Sequence, residues 1–260
     1  NGAKAGKPVM IYSMEMTAVQ LAARINAHSA NTPSSIIQYK KLAQQQYRDL
    51  QHATEETNVL PIYFDDKSTT SVDAIIASIR RYTRKLHIKL AVIDYIQILS
   101  SIGQIKNQEA FLGETSRKFK NLAKELHICV LALSQLARNQ QDPRPQLSRL
   151  RGSGQTVEAA DDVLMIWRPE MYGKTSYKDS NAPVTDTAEI IIGKGRNIGT
   201  GSFIVHFEKS YTYFYDATSE ERERWDPMVI TSANDGASVS KEESDPLPPP
   251  VVSKEEEIPF

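Results

Sequence analysis

Four short apolar runs, residues 8–14 (PVMIYSM), 60–64 (LPIYF), 90–95 (LAVIDY) and 128–134 (ICVLALS), mark this chain, and none of them alternates with polar residues. A strand wetted on one face alternates, whereas a strand covered on both faces does not, so these runs predict buried parallel strands. Helical periodicity fills the intervals. Residues 71–86 place Val72, Ile75, Ile76, Ile79, Tyr82 and Leu86 on one face behind a Ser71 cap, and residues 114–126 align Phe119, Leu122 and Leu126. Strands alternating with helices of this length predict βαβ units, right-handed crossovers and an α/β fold with a mostly parallel sheet flanked by helices.

After Asp161 the pattern changes. Residues 161–167 (DDVLMIW) make one more strand, and 188–196 (AEIIIGKGR) and 202–208 (SFIVHFE) flank NIGTG, a Gly-containing connection suited to an antiparallel hairpin, with a short YTYFY after it. The sheet is therefore expected to end in antiparallel strands. Residues 217–260 hold EERER, KEESD, PLPPP and SKEEE and few residues able to build a core. The expected organisation is a folded domain over 1–216 and a disordered, acidic, Pro-containing tail over 217–260.

Charge sharpens that division. The net charge of −1 hides a tail with four Lys or Arg against eleven Asp or Glu, so residues 1–216 carry +6. A basic body is compatible with a polyanionic ligand, and equally with a solvated surface of mixed charge. The single cysteine, Cys129, has no intramolecular disulfide partner, as suits a reducing compartment. No apolar stretch approaches the roughly 20 residues that span a bilayer, and no signal-peptide core is present near residue 1. The expectation is a soluble, cytoplasmic protein with no membrane partner.

In an open parallel sheet, ligands sit beyond the carboxyl ends of the strands. Three predicted strands end there on Glu15, Asp94 and Gln135. A strand closing on Asp after four apolar residues resembles the Walker B element, whose carboxylate holds the water shell of a nucleotide-bound Mg²⁺. Glu15 could then polarise an attacking water and Gln135 could hydrogen-bond the terminal phosphate. Taken singly, each is equally a helix cap or a solvated loop residue. Lys194 and Arg196, two apart in GKGRNIG, point to one side of an extended strand, with Gly193 and Gly195 baring the other. The pair suits an arginine finger, or an edge strand guarded against aggregation. The long polar connection 134–155 contains Arg138, Arg144, Arg149 and Arg151 and closes on RGSG, which offers unhindered backbone N–H groups to phosphates or simply a flexible surface loop.

Read in order, GKPVMIYSMEM, LAVIDYIQIL, NLAKELHICVLALSQLAR, RPQLSRLRGSG and AEIIIGKGRNIGTG closely resemble the C-terminal motor domain of the DnaB-type replicative DNA helicases, across about residues 6–215. The resemblance implies a RecA-like ATPase that uses ATP and Mg²⁺ and assembles as a homo-hexamer. It further implies single-stranded DNA in a central channel, duplex unwinding at the replication fork, and a primase and helicase loader as partners. By position, it gives Glu15 the role of the catalytic glutamate, Asp94 that of the Walker B ligand of Mg²⁺ through water, and Gln135 that of the sensor. Arg24 matches an arginine near the nucleotide, and Lys194 and Arg196 match the pair that reaches into a neighbouring subunit's site. Arg138, Arg151, Ser153 and Gly154 fall where the family's channel loops hold the DNA backbone.

Two departures qualify the match. Gly152 stands where the family has Glu, within RESG. The phosphate-binding motif GxxxxGK[ST] occurs nowhere in the 260 residues. By the resemblance it belongs some twenty residues ahead of GKPV, so the chain looks like a fragment without its phosphate cradle, and negligible ATP hydrolysis is expected of it alone. Two other readings stand beside this one: a recombinase or clock-type ATPase paralogue, which fits SQLAR, RLRGSG and KGRNIG less well, and a non-catalytic DNA-binding or oligomerisation module derived from such an ATPase.

Overall fold

The computed structural model describes residues 1–66, 71–99, 107–136, 143–150 and 153–225, for Ser153 the backbone only. Its first half is a parallel sheet built from the four apolar runs: β1 (Val9–Ser13), β2 (Ile62–Asp65), β3 (Leu90–Asp94) and β4 (Cys129–Ala132), in the order β2-β1-β3-β4. Val9 stands opposite both Ile62 and Leu90, and Leu90 opposite Cys129, so the carboxyl ends of all four strands share one edge.

Helices α1 (Ala18–Ala27), α2 (Ser34–Tyr39) and α3 (Gln44–Asn58) separate β1 from β2; α4 (Val72–Leu86) and α5 (Gln108–Leu126) precede β3 and β4. Right-handed crossovers put α1–α3 on one face of the sheet and α4 and α5 on the other. The core lies on the second face. Ile75, Ile76 and Ile79 of α4 and Leu112, Phe119 and Leu122 of α5 close over Met10, Tyr12, Ala91 and Ile93, each large side chain contributing about 1.5–3 kcal/mol by leaving water. The predicted apolar faces are the faces buried. Ser71 does occupy the position ahead of α4, but its side chain makes no capping hydrogen bond. Both α4 and α5 end on a histidine in the left-handed region, His87 (φ 53) and His127 (φ 51), which turns the chain sharply so that Ile88 and Ile128 enter the core ahead of their strands.

The second half is an antiparallel meander, β5 (Asp162–Trp167), β6 (Thr187–Gly195), β7 (Gly201–Glu208) and β8 (Tyr213–Asp216). It does not continue the parallel sheet: among the described residues the two form separate hydrogen-bonded ladders, because β4 and β5 do not pair. One face carries Met165, Trp167, Ile191 and Ile204, closed over by Tyr177, Ala182, Ala217 and Trp225. That closure corrects the boundary at 216. Residues 219–225 form α7 (Ser219–Trp225), and Trp225 is 3% exposed. Its carbonyl accepts from Asn181 N–H at 2.9 Å and from Ser180 Oγ at 2.8 Å, and Glu221 meets His206 at 3.1 Å. A segment rich in Glu and Arg reads as tail, but one tryptophan suffices to dock it. All described residues lie in one unit, Asn1–Pro227, so the tail expectation now concerns residues outside those described.

Candidate functional site

The acids gather because backbone bonds lash the strand ends together. Met14 N–H donates to the carbonyl of Asp94 at 3.2 Å, tying the exit of β1 to the exit of β3. The hydroxyl of Ser13, 1% exposed, accepts from Met16 N–H at 3.1 Å, and Thr17 caps α1 reciprocally with Gln20. Glu15 is thereby held at the apex of the bend between strand and helix, exposed to solvent. Asp94, half-buried at the end of β3, has its carboxyl pushed above the usual aspartate range, first by burial and then by the negative charge of Glu15, while Arg24 on α1 pulls it back. Glu15, Asp94 and Arg24 therefore share one electrostatic neighbourhood. A divalent cation or a water shell between the two carboxylates fits such a donor set: hard oxygen ligands whose mutual repulsion a cation relieves.

Gln135 is held from behind by a residue that motif reading passed over. Gln97, 7% exposed in the segment after β3, accepts from Gln135 N–H at 3.2 Å, donates to the Gln135 carbonyl at 3.2 Å and to Ser134 Oγ at 2.7 Å. The clamp fixes the backbone of Gln135 and leaves its side chain exposed at the same edge as Asp94. A polar amide inside the apolar run DYIQIL was the available signal, since a buried amide must find partners. Asp66, exposed just past β2, accepts from Ala18 N–H in the first turn of α1 at 2.9 Å.

Lys194 lies near the end of β6 and Arg196 just beyond it, and both are engaged within the chain. Lys194 Nζ donates to the carbonyls of Val157 (2.7 Å), Glu158 (3.1 Å) and Ala160 (2.7 Å), closing the C-terminal end of α6 (Ser153–Ala159). Arg196 Nη1 meets Asp161 at 3.0 Å, and Lys120 of α5 joins the same carboxylate. These cations hold the Asp161 carboxyl below the usual aspartate range, Lys120 through its hydrogen bond most of all. Gly193 and Gly195 do not leave the opposite side bare. A Cβ at 193 would stand 2.7 Å from Met165 and 2.8 Å from Leu147, and one at 195 would stand 2.1 Å from the Gly199 carbonyl, so both positions admit a close approach that other residues would block.

Two of the four loop arginines are structural. Arg144 holds Glu189, itself 7% exposed, through bonds of 3.1 and 2.6 Å, and Arg149 donates to the carbonyls of Pro143 and Arg144. Arg138, Arg151 and Gly152 lie outside the described residues. Gly154 is exposed in the first turn of α6 with open space around it. A cavity of about 160 Å³ between β1, β2 and α4, lined by Tyr12, Asp65, Ser78 and Arg81 among others, takes in none of Glu15, Asp94 or Gln135. Burial there lifts the Tyr12 phenol to about 12. Among the described residues no group of three or more His, Cys, Asp or Glu could hold a metal ion, and no helix is long and apolar enough to cross a membrane.

Comparison with known proteins identifies the family of the fold. The model of the DnaB-like helicase C-terminal domain matches residues 1–216. The replicative DNA helicase DnaB of Geobacillus stearothermophilus is 34% identical over 215 residues, 81% of this chain and 46% of that protein. The chain thus spans about half the length of that curated relative. Among solved structures, one ATPase domain superposes with a TM-score of 0.72 at 28% identity, over 83% of this chain and 76% of that one. A DnaB-like replicative helicase, solved in a study of its interactions with primase, gives the same TM-score and identity over 83% of this chain and 53% of that one.

Proposed function

The chain belongs to the DnaB-like helicase C-terminal domain family, and we propose that it is the RecA-like motor portion of an ATP-dependent replicative DNA helicase, working in the cytoplasm. Within a ring of six it moves along single-stranded DNA and unwinds duplex, in contact with primase and a loader. The observation that carries this reading is the convergence of Glu15, Asp94 and Arg24 beyond the carboxyl ends of β1 and β3, with Asp94 raised by burial and by Glu15, and with the backbone of Gln135 clamped at the same edge.

Each residue has a defined task on this reading. Asp94 holds Mg²⁺ through water, and the cation when bound supplies charge neutralisation at the phosphates of ATP. Glu15, exposed beside it, takes the proton of the attacking water. Gln135 meets the terminal phosphate with its side-chain amide while Gln97 keeps its backbone from moving, and Arg24 balances the acids. Lys194 and Arg196 serve a neighbouring subunit's nucleotide, which requires them to leave Asp161 and the end of α6. Arg138, Arg151, Ser153 and Gly154 hold the DNA backbone without reading sequence.

The purified 260-residue chain, having no GxxxxGK[ST], is expected to hydrolyse ATP negligibly while still binding oligo(dT) with an affinity that falls as salt rises. Turnover that Glu15→Gln abolishes overturns the first expectation. Undiminished binding in the Arg138→Ala, Arg151→Ala double variant removes the loop from the DNA site. A second reading, a DNA-binding or oligomerisation module without a motor, draws support from the engagement of Lys194 and Arg196 inside their own chain. It is distinguished by DNA binding that ATP leaves unchanged even when a phosphate-binding segment is supplied.

A further inference from the structure

The cavity between β1, β2 and α4 includes none of the acids at the strand ends, and its walls follow from two periodicities. Tyr12 and Met14, two residues apart, point to one face of the sheet, and Asp65 stands opposite Tyr12 in the neighbouring strand. From α4 they meet Ala74, Ser78 and Arg81, spaced as one helical stripe beside the core residue Ile75. Further round the helix, Ile75, Ile76 and Ile79 fill the space against the sheet. Ala74 and Ser78 are too small to do the same, and about 160 Å³ stays open. An apolar cavity of about 150 Å³ holds a benzene molecule, so this space admits a ligand of roughly six to eight non-hydrogen atoms.

The polar groups of the lining are sorted by kind. Tyr12, 3% exposed, donates through its hydroxyl to Ser78 Oγ at 3.2 Å, and Ser78 Oγ donates onward to Asp65 Oδ2 at 3.5 Å. Burial above all lifts the Tyr12 phenol to about 12, so it keeps its proton at neutral pH. Each hydroxyl has thereby used its one hydrogen and keeps oxygen lone pairs, and the Asp65 carboxyl adds two more oxygens. The inner wall therefore offers acceptors. Arg81, exposed and lying over the Tyr82 ring at 4.7 Å, offers only N–H donors. Asp65 and Arg81 both act on the Tyr12 phenol, so acceptors and donors share one small space. Met14, Ala74 and Ile75 make the rest of the lining apolar.

We propose that this cavity binds a small aliphatic zwitterion of about the size of γ-aminobutyrate. Its ammonium group lies against Tyr12, Ser78 and Asp65, its methylenes against Met14 and Ile75, and its carboxylate against Arg81. An ammonium carries three donors for the three oxygen-bearing side chains, and a guanidinium takes a carboxylate through two parallel bonds. A phosphate would meet the Asp65 carboxyl unfavourably, and an uncharged ring would cover Asp65 and Arg81 without giving either a charged partner. An occupant also bears on the strand ends nearby. Met14 N–H donates to the Asp94 carbonyl at 3.2 Å, one residue ahead of Glu15, and Asp66, next to Asp65, holds the first turn of α1. A filled cavity thus fixes the bend that carries Glu15.

The test titrates the 260-residue chain with γ-aminobutyrate, using butylamine and butanoate as controls with one charged end each, and follows binding by saturation-transfer NMR. Saturable binding at about millimolar concentration is expected, with each control about tenfold weaker or worse. Ala74→Leu, altered at an exposed position, fills the cavity mouth; it should keep the Tm of the parent chain and lose binding. Arg81→Gln, also at an exposed position, should weaken γ-aminobutyrate and leave butylamine unchanged, which tests the carboxylate contact even where Ala74→Leu fails to fold. Exchange of the Met14 amide should slow on binding. No saturable binding up to about 50 mM overturns the proposal. So does binding that survives Ala74→Leu with the fold intact, or that Arg81→Gln leaves unchanged. Butylamine or butanoate binding as tightly as γ-aminobutyrate overturns the zwitterion as the ligand class.

Discussion

The two sheets treat their functional charges in opposite ways. At the carboxyl edge of the parallel sheet, Asp94 and Glu15 are like charges held near one another by backbone bonds, and the pKa of Asp94 is raised by burial first and by Glu15 second, with Arg24 pulling it back only in part. On the antiparallel sheet, Lys194, Arg196 and the buried Glu189 all have partners within the chain: the end of α6, Asp161 and Arg144. An uncompensated charge is poised to bind something; a compensated one must first be released. On the proposed motor reading, the parallel sheet presents the site for a cation. On the same reading, the antiparallel sheet presents cations held in reserve, and its stability rests on the same bonds.

The contrast can be broken most severely at Trp225. Trp225→Ala should cost about 3–5 kcal/mol, with exchange quickening in β5–β8 well before β1–β4, as measured by hydrogen exchange; uniform quickening would mean that the two sheets unfold as one. Glu189→Ala comes next. It removes the carboxylate that Arg144 holds and should lower stability in urea by about 1–2 kcal/mol, less than for a wholly buried pair because Arg144 keeps 35% of its side-chain surface in water. Lys194→Met removes three carbonyl contacts at the end of α6 and should cost about 1 kcal/mol, measured as faster exchange of the α6 amides with β1–β4 unaffected. The smallest effect has the opposite sign. Because the folded-state pKa of Asp94 is raised, its stabilising contribution is complete only below the ordinary aspartate value of 3.8 and is lost as pH rises through the raised value. Asp94→Asn should therefore raise Tm at pH 7, and the gap should close as pH falls below 3.8. A loss of Tm at pH 7 would show that Asp94 is compensated after all.

The predicted strands formed because their signal is local: each of the four apolar runs overlaps one of β1–β4, but burial on both faces holds only for β1, while β2 is half-buried and β4 largely exposed. Glu15, Asp94 and Gln135 were legible for a related reason, as polar residues at the ends of such runs. Gln97 was not, since a lone amide in LAVIDYIQIL carries no motif and its bonds to Ser134 and Gln135 reach across 37 and 38 residues. Arg144 and Arg149 stood in the sequence only as members of a long polar connection, and their tertiary contacts with Glu189 and with backbone carbonyls became visible only in the structure.

By itself, then, the amino-acid pattern determined the alternation of strand and helix, the parallel order it implies and the acids at the strand ends, because periodicity and strand termini are properties of neighbouring residues. Tertiary structure alone decided which charges are spent and which are free, that Trp225 draws residues 217–225 into the domain, and that β4 and β5 remain unpaired with each other. Those outcomes depend on which distant groups meet, and hydrogen bonding, burial and edge pairing are settled only when the chain has closed on itself.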